Sequence, residues 1–146
     1  MLQEWQRDEY VISTDKEQLD IATIHRFLST AYWSQGIPLE TVQQAIEHSL
    51  NFGLYRGKQQ VGFARVITDY TTFAYVTDVF VQESFRGQGL SKWLMEKIVA
   101  HPELQGLRRW ILITKDAHGL YRQFGFTNVK TPERSMERSF GNVYIN

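Results

Sequence analysis

The chain of 146 residues contains no cysteine, which excludes disulfides, thiolate metal sites and a cysteine nucleophile. It also lacks an excess of charge of either sign, with 16 basic side chains against 16 acidic ones. No broad field therefore favours nucleic acid or an anionic membrane, although a local basic patch stays open. No apolar run approaches the roughly 20 residues that cross a bilayer. The opening stretch, Met1 to Glu9, is too polar for a signal peptide. The expectation is a cytoplasmic protein with neither nucleic acid nor membrane as a partner. No repeat, linker or low-complexity segment divides the chain, so residues 1–146 are expected to form one domain. No cluster suggests a catalytic metal or a Ser-His-Asp triad.

Against those absences stands one informative stretch, from Phe73 to Ala100. Tyr75, Val76, Val79, Phe80 and Val81 are β-branched or aromatic and fall on both alternating faces, as in a strand buried within a sheet. From Leu90 onward, Leu90, Trp93, Leu94 and Ile98 recur at helical spacing. Between the two lies Arg86-Gly87-Gln88-Gly89. A strand, a glycine-rich turn and a helix together suit an anion. The first amides of a helix have no internal acceptor, and glycine lets a phosphate approach them. Two familiar phosphate cradles fail. Lys92 stands where a dinucleotide fingerprint needs glycine or alanine, and no Gly-Lys-Ser/Thr follows a four-residue gap.

The rest of the chain reads in order as follows. Asp8 to Thr14 suggests a first strand, and Asp15 a cap or turn into a helix from about Leu19 to Tyr32, with Ile21, Ile24, Phe27, Leu28 and Ala31 on one face. His25 beside that face has no metal-type partner at i+4. Pro38 opens a second helix reaching about Leu50. Asn51–Tyr55 and Gln60–Thr68 read as strands joined by a glycine-containing turn. They lead through Asp69 to Thr72 into the strand near Phe73. His101-Pro102 stops the long helix, and Arg108–Thr114 is a further apolar strand, parallel to the one near Val79 because a helix connects them. A short helix over Ala117 to Phe126 ends at Gly125, and Ser139–Ile145 is read as a last strand. The order β-α-α-β-β-β-α-β-α-β describes an α+β fold. Its sheet is mixed and mostly antiparallel, with about six or seven strands and helices on both faces.

Arg86-Gly87-Gln88-Gly89-Leu90-Ser91 resembles the acyl-CoA loop Arg/Gln-x-x-Gly-x-Gly/Ala of the GNAT superfamily of N-acetyltransferases, with serine at the last position. A second stretch, Ala117, Leu120, Tyr121, Gly125 and Phe126, resembles the superfamily's Ala-x-x-Leu/Phe-Tyr-x-x-x-Gly-Phe. Both in order, with an apolar strand between them, extend the resemblance over nearly the whole chain.

The resemblance implies transfer of an acetyl group from acetyl-CoA to a primary amine of a small-molecule or protein acceptor. Such a reaction needs a donor for the oxyanion, a proton for the leaving sulfur and a route for the amine's proton. Direct attack in a ternary complex is implied, since no cysteine is available for an acyl-enzyme. Backbone groups of Val79, Phe80 and Val81 would hold the pantetheine arm, Arg86 to Ser91 the diphosphate, and Thr114 a further part of pantetheine. Tyr121 matches the general acid and would sit at the thiol end of the cofactor. Asp78, alone among apolar neighbours, is either the base or a structurally bonded carboxylate, with His118 as another candidate. Tyr32, Trp33 and Tyr70, with Asp78, would wall the acceptor pocket, although Tyr32 and Trp33 equally read as a plug between two helices. No metal is implied, and a homodimer is compatible with the reading. The rivals are a non-catalytic acyl-CoA-binding module and a nucleotide-binding domain.

Overall fold

The computed structural model describes residues 1–145. A six-stranded sheet runs in the order β1-β2-β3-β4-β5-β6, each strand beside the next in sequence. The strands are β1 (Glu4–Arg7), β2 (Tyr10–Ser13), β3 (Leu50–Arg56), β4 (Gln59–Thr68), β5 (Phe73–Val81) and β6 (Arg109–Leu112). The helices are α1 (Ile21–Leu28), α2 (Leu39–Glu47), α3 (Leu90–Val99) and α4 (His118–Arg122). All neighbouring strands are antiparallel except β5 and β6, which the α3 crossover makes parallel. The mixed, mostly antiparallel α+β sheet of six strands matches the expectation, while the element order departs from it at both ends of the chain. Among the described residues no helix is long and apolar enough to cross a membrane.

The alternation of the central strands divides the core in two. Phe52, Ala64, Val66, Ala74 and Val76 face α3, where Trp93, Leu94 and Ile98 cover them. Phe63 and Phe80, opposite one another on β4 and β5, face the other way and meet Ile24, Leu28, Val42 and Ile46 of α1 and α2. A period of two in the strands and of 3.6 in the helices suffices to build both layers.

Several boundaries differ from those expected, each for a local reason. The amino-terminal strand is a hairpin, because Asp8 takes a left-handed φ of 55° and turns the polar stretch 4–7 back onto β2. Asp15 caps only a 3-10 turn; α1 is capped by Asp20, whose carboxylate accepts from Thr23 N at 3.2 Å and Thr23 Oγ1 at 2.7 Å. That helix stops at Leu28 rather than Tyr32, since Ser34 Oγ donates to the Leu28 carbonyl at 2.7 Å and folds the following loop back. Likewise α2 stops at Glu47, where Asn51 Nδ2 donates to the Ile46 carbonyl at 2.8 Å. The expected last strand over Ser139–Ile145 does not form. Gly141 has φ 69°, and Asn142 Oδ1 accepts from Tyr144 N, so the segment turns instead of extending. The outer edge of β6 stays unpaired among the described residues.

His101, fully buried after α3, stands with its ring edge-on to Phe52 and Trp5 at centroid distances of 5.7 and 6.4 Å. Its Nδ1 accepts from Glu103 N at 3.0 Å, so the neutral ring carries its proton on Nε2. Burial lowers its pKa below the usual histidine value, against a smaller opposing pull from Glu103. The unfolded chain therefore takes up the proton first. Stability measured by urea unfolding is expected to fall as the pH drops through about 6.5. His101→Phe should flatten that acid limb. An unchanged limb in the variant would assign the pH dependence elsewhere.

Candidate functional site

The site is built by β5, which is paired unequally on its two edges. Toward β4 the ladder runs from Ala74 to Val81. Toward β6 it covers only Phe73 to Val76, opposite Arg109 to Leu112. Beyond Val76 the two strands part, and the backbone from Thr77 to Val81 has no strand on that side. The parting is helped by a bulge: Phe63 faces Phe80 while Arg65 faces Thr77, leaving one extra residue on β5. Asp78 lies in it with φ 55°, a conformation that aspartate tolerates better than most residues.

At the carboxyl end of β5 the chain enters the glycine turn. Gly87 and Gly89 have φ of 82° and 75°, and a Cβ on either would meet nothing within 4 Å. Gly89 is the residue before α3 and offers no side chain to cap it. Among the described residues the N–H groups of residues 87–92 donate to no acceptor in the chain; the first α3 amide to do so is Trp93, to the Gly89 carbonyl at 3.0 Å. Free amides, a helix N-terminus and open space together favour an anion. The Arg86 side chain is turned inward, its Nε donating to the Val81 carbonyl at 2.8 Å, which ties the turn to the end of the strand. Ser91 and Leu90 lie in the first turn of α3, with Leu90 buried in the core.

The other wall comes from the segments after β6. Thr114 Oγ1 accepts from Ala117 N at 3.0 Å and so shapes the start of α4. Tyr121 is partly buried against the core, with its ring edge-on to Phe126 at 6.2 Å. Burial first, and the neighbouring Tyr32 second, push its phenol pKa above the ordinary value, so it keeps its proton through the neutral range. His118 is exposed.

Asp78 is fully engaged. Its Oδ2 accepts from Arg65 Nε at 2.9 Å, and its Oδ1 accepts from Trp33 Nε1 at 2.8 Å. Arg65 also donates to Ser49 Oγ at 3.0 Å. Trp33 is held besides by Phe27, itself stacked on Phe80 at 3.9 Å, and by Tyr32 at 5.1 Å. Lys115 Nζ lies 5.3 Å from the Tyr32 ring centre. The structure thus brings Tyr32, Trp33 and Asp78 together, with Tyr121 beside Tyr32. Tyr70 stands apart in the β4–β5 turn with φ 62°, close to Glu103, and makes no contact with that group.

Sequence reasoning missed Arg65, because an arginine on a strand among apolar residues gives no sign of its cross-strand partner. It also missed Lys115. The carboxy-terminal segment, expected as a last strand, instead brings Tyr144 and Ile145 against Gly36 of the Tyr32–Ile37 loop as an irregular turn. A cleft of about 1080 Å³ opens along the outer edge of β6. Arg108, Arg109, Arg122, Lys130 and Arg134 line it with no acidic residue among the lining, so a local basic patch does exist in this chain of balanced charge.

Comparison with known proteins agrees with this fold. The model of the acetyltransferase (GNAT) family matches residues 2–126. A Gibberella zeae protein whose name provisionally assigns it acetyltransferase activity is 32% identical over 142 residues, covering 82% of this chain and 79% of its own length. The crystal structure of a GNAT-family protein from Xanthomonas campestris pv. campestris is 53% identical, with a TM-score of 0.92 over 94% of this chain and 97% of that one. A GNAT acetyltransferase from Elizabethkingia anophelis, solved with acetyl-CoA bound, shares the fold at 15% identity and a TM-score of 0.65, over 93% of this chain and 92% of that one. Parted strands, a glycine turn of free amides and a matching family model lead to one conclusion: this chain belongs to the acetyltransferase (GNAT) family.

Proposed function

We propose that the protein moves an acetyl group from acetyl-CoA to a primary amine of a small-molecule or protein acceptor, by direct attack with both substrates bound. The observation that carries this reading is the unpaired backbone of Thr77–Val81 leading directly into the free amides of residues 87–92. An extended amide-bearing arm fits beside the first, as an added strand would, and a diphosphate fits the second. Acetyl-CoA supplies a thioester whose carbonyl is open to attack.

In this reading backbone N–H and C=O groups at Val79, Phe80 and Val81 hold the pantetheine arm, and an N–H there polarises the carbonyl. The amides from Gly87 to Ser91 take the diphosphate, while Arg86 keeps their turn attached to β5 and Thr114 shapes the opposite wall. Tyr121, still protonated at neutral pH, gives its proton to the departing sulfur. Tyr32 and Trp33 form the acceptor wall. Both carboxylate oxygens of Asp78 are already engaged, one by a guanidinium and one by an indole, so Asp78 orients Trp33 rather than acting as the base.

Acetyl-CoA and CoA are expected to raise the melting temperature, and thiol release is expected only when an amine from a panel is present. Stabilisation by ATP or NAD but not by CoA would overturn the reading. Binding without release across the panel would leave a non-catalytic acyl-CoA module.

Tyr121→Phe is expected to lower kcat by about 100-fold at pH 7.5 with the KM for acetyl-CoA little changed. Release rates equal to wild type at every pH would remove Tyr121 from the acid role.

Asp78→Asn should raise the acceptor KM while leaving the pH profile of kcat in place. Loss of the acid limb of that profile would make Asp78 the base after all. Arg65→Leu, which strands a partly buried carboxylate, should cost roughly 1–3 kcal/mol of stability.

A further inference from the structure

The glycine turn is not self-supporting. Its central residue, Gln88, occupies a position that the loop motif leaves open to any side chain, yet here it makes bonds in three directions. Its Nε2 donates to the Phe85 carbonyl at 3.1 Å, closing the turn on itself. Its Oε1 accepts from Tyr10 Oη at 3.1 Å, and its main-chain carbonyl accepts from Arg7 Nη2 at 3.4 Å. Tyr10 and Arg7 face each other across the β1–β2 hairpin, some eighty residues earlier in the chain. Tyr10 is 6% exposed and belongs to the main core, and the Arg7 guanidinium lies 4.9 Å from the centre of the Trp93 ring on α3.

The consequence is geometric. Gly87 and Gly89, both at positive φ, have open space around them and no side chain to hold them. Between two such residues the main chain has many conformations of similar energy. Gln88 between them is the anchor point, and Tyr10 holds it from a rigid part of the core. With the Gln88 amide group turned inward, the N–H groups of residues 87–92 remain directed away from chain acceptors. A turn held in its receptive shape before a ligand arrives loses less entropy on binding.

We propose that Tyr10, assisted by Arg7, is a positioning residue for the diphosphate loop, acting through Gln88. The inference rests on the acetyl-CoA reading above and adds to it the claim that the amino-terminal hairpin sets affinity for the diphosphate end of the donor alone. Neither residue touches the donor's reacting atoms in this account.

The test compares Tyr10→Phe with wild type using two donors, acetyl-CoA and S-acetylpantetheine, which has the same thioester arm but no diphosphate. Tyr10→Phe removes one hydroxyl and no charge, so its effect reports loop shape rather than attraction of phosphate. The expected result is a kcat/KM for acetyl-CoA lowered about five- to tenfold through KM, the loss of one hydrogen bond, with kcat/KM for S-acetylpantetheine unchanged. Titration with CoA should show the same rise in Kd. Arg7→Met, which keeps an unbranched side chain beside Trp93, should show the same selectivity with a smaller effect. Equal losses for both donors would indicate general damage and overturn the proposal, as would unchanged CoA affinity in both variants. Failure of the wild-type protein to take up CoA would instead sink the acetyl-CoA reading itself, so the two failures are distinguishable.

Discussion

Everything at this site depends on β5 being bonded along nearly its whole length on one edge and over only four residues on the other. A strand inside a sheet normally satisfies both edges, because an unpaired N–H or C=O away from water is costly. Here the ladder with β6 stops at Val76, and the next five residues turn one edge toward the gap. The β4 side bears the strain of this arrangement through the bulge at Asp78, whose left-handed φ sets the direction in which β5 bends. The Arg65–Asp78 pair and the Trp33 indole hold the bulge, so one carboxylate serves both the strand geometry and the aromatic loop facing it.

The glycine turn continues the same theme of main-chain groups left without partners. Arg86 binds it to the last carbonyl of β5, and Gln88 binds it to the first hairpin of the fold. The Arg86 side chain is oriented by its Nε–H bond to the Val81 carbonyl. In the proposed reading the attraction for an anion comes from helix amides and from the shape that keeps them open. In the proposed reaction, Tyr121 supplies what amides cannot, a proton held by a phenol that burial keeps neutral.

Much of this was readable beforehand. Phe73–Val81 and the Leu90, Trp93, Leu94 and Ile98 stripe announce their structures through residue type and spacing, and the parallel pairing of β5 with β6 follows from the helix between them. What escaped was decided by single hydrogen bonds between distant residues. Ser34 ends α1 early, Asn51 ends α2, and the Asn142 turn prevents a final strand. None of these alters the hydrophobic period from which elements are read. The hairpin strand Glu4–Arg7 escaped for another reason: it alternates between exposed and half-buried positions, but Glu4, Gln6 and Arg7 are polar, so no apolar period marks it.

The sequence by itself determined the two-layered α+β core, the glycine turn before α3 and the position of Tyr121, because periodicity, glycine and a short motif are local properties of the chain. The tertiary structure alone decided that Asp78 is paired with Arg65, that Trp33 reaches Asp78, and that Tyr10 holds Gln88. Those partners lie 13 to 78 residues apart, and only the folded sheet brings a donor and an acceptor so separated to within about 3 Å.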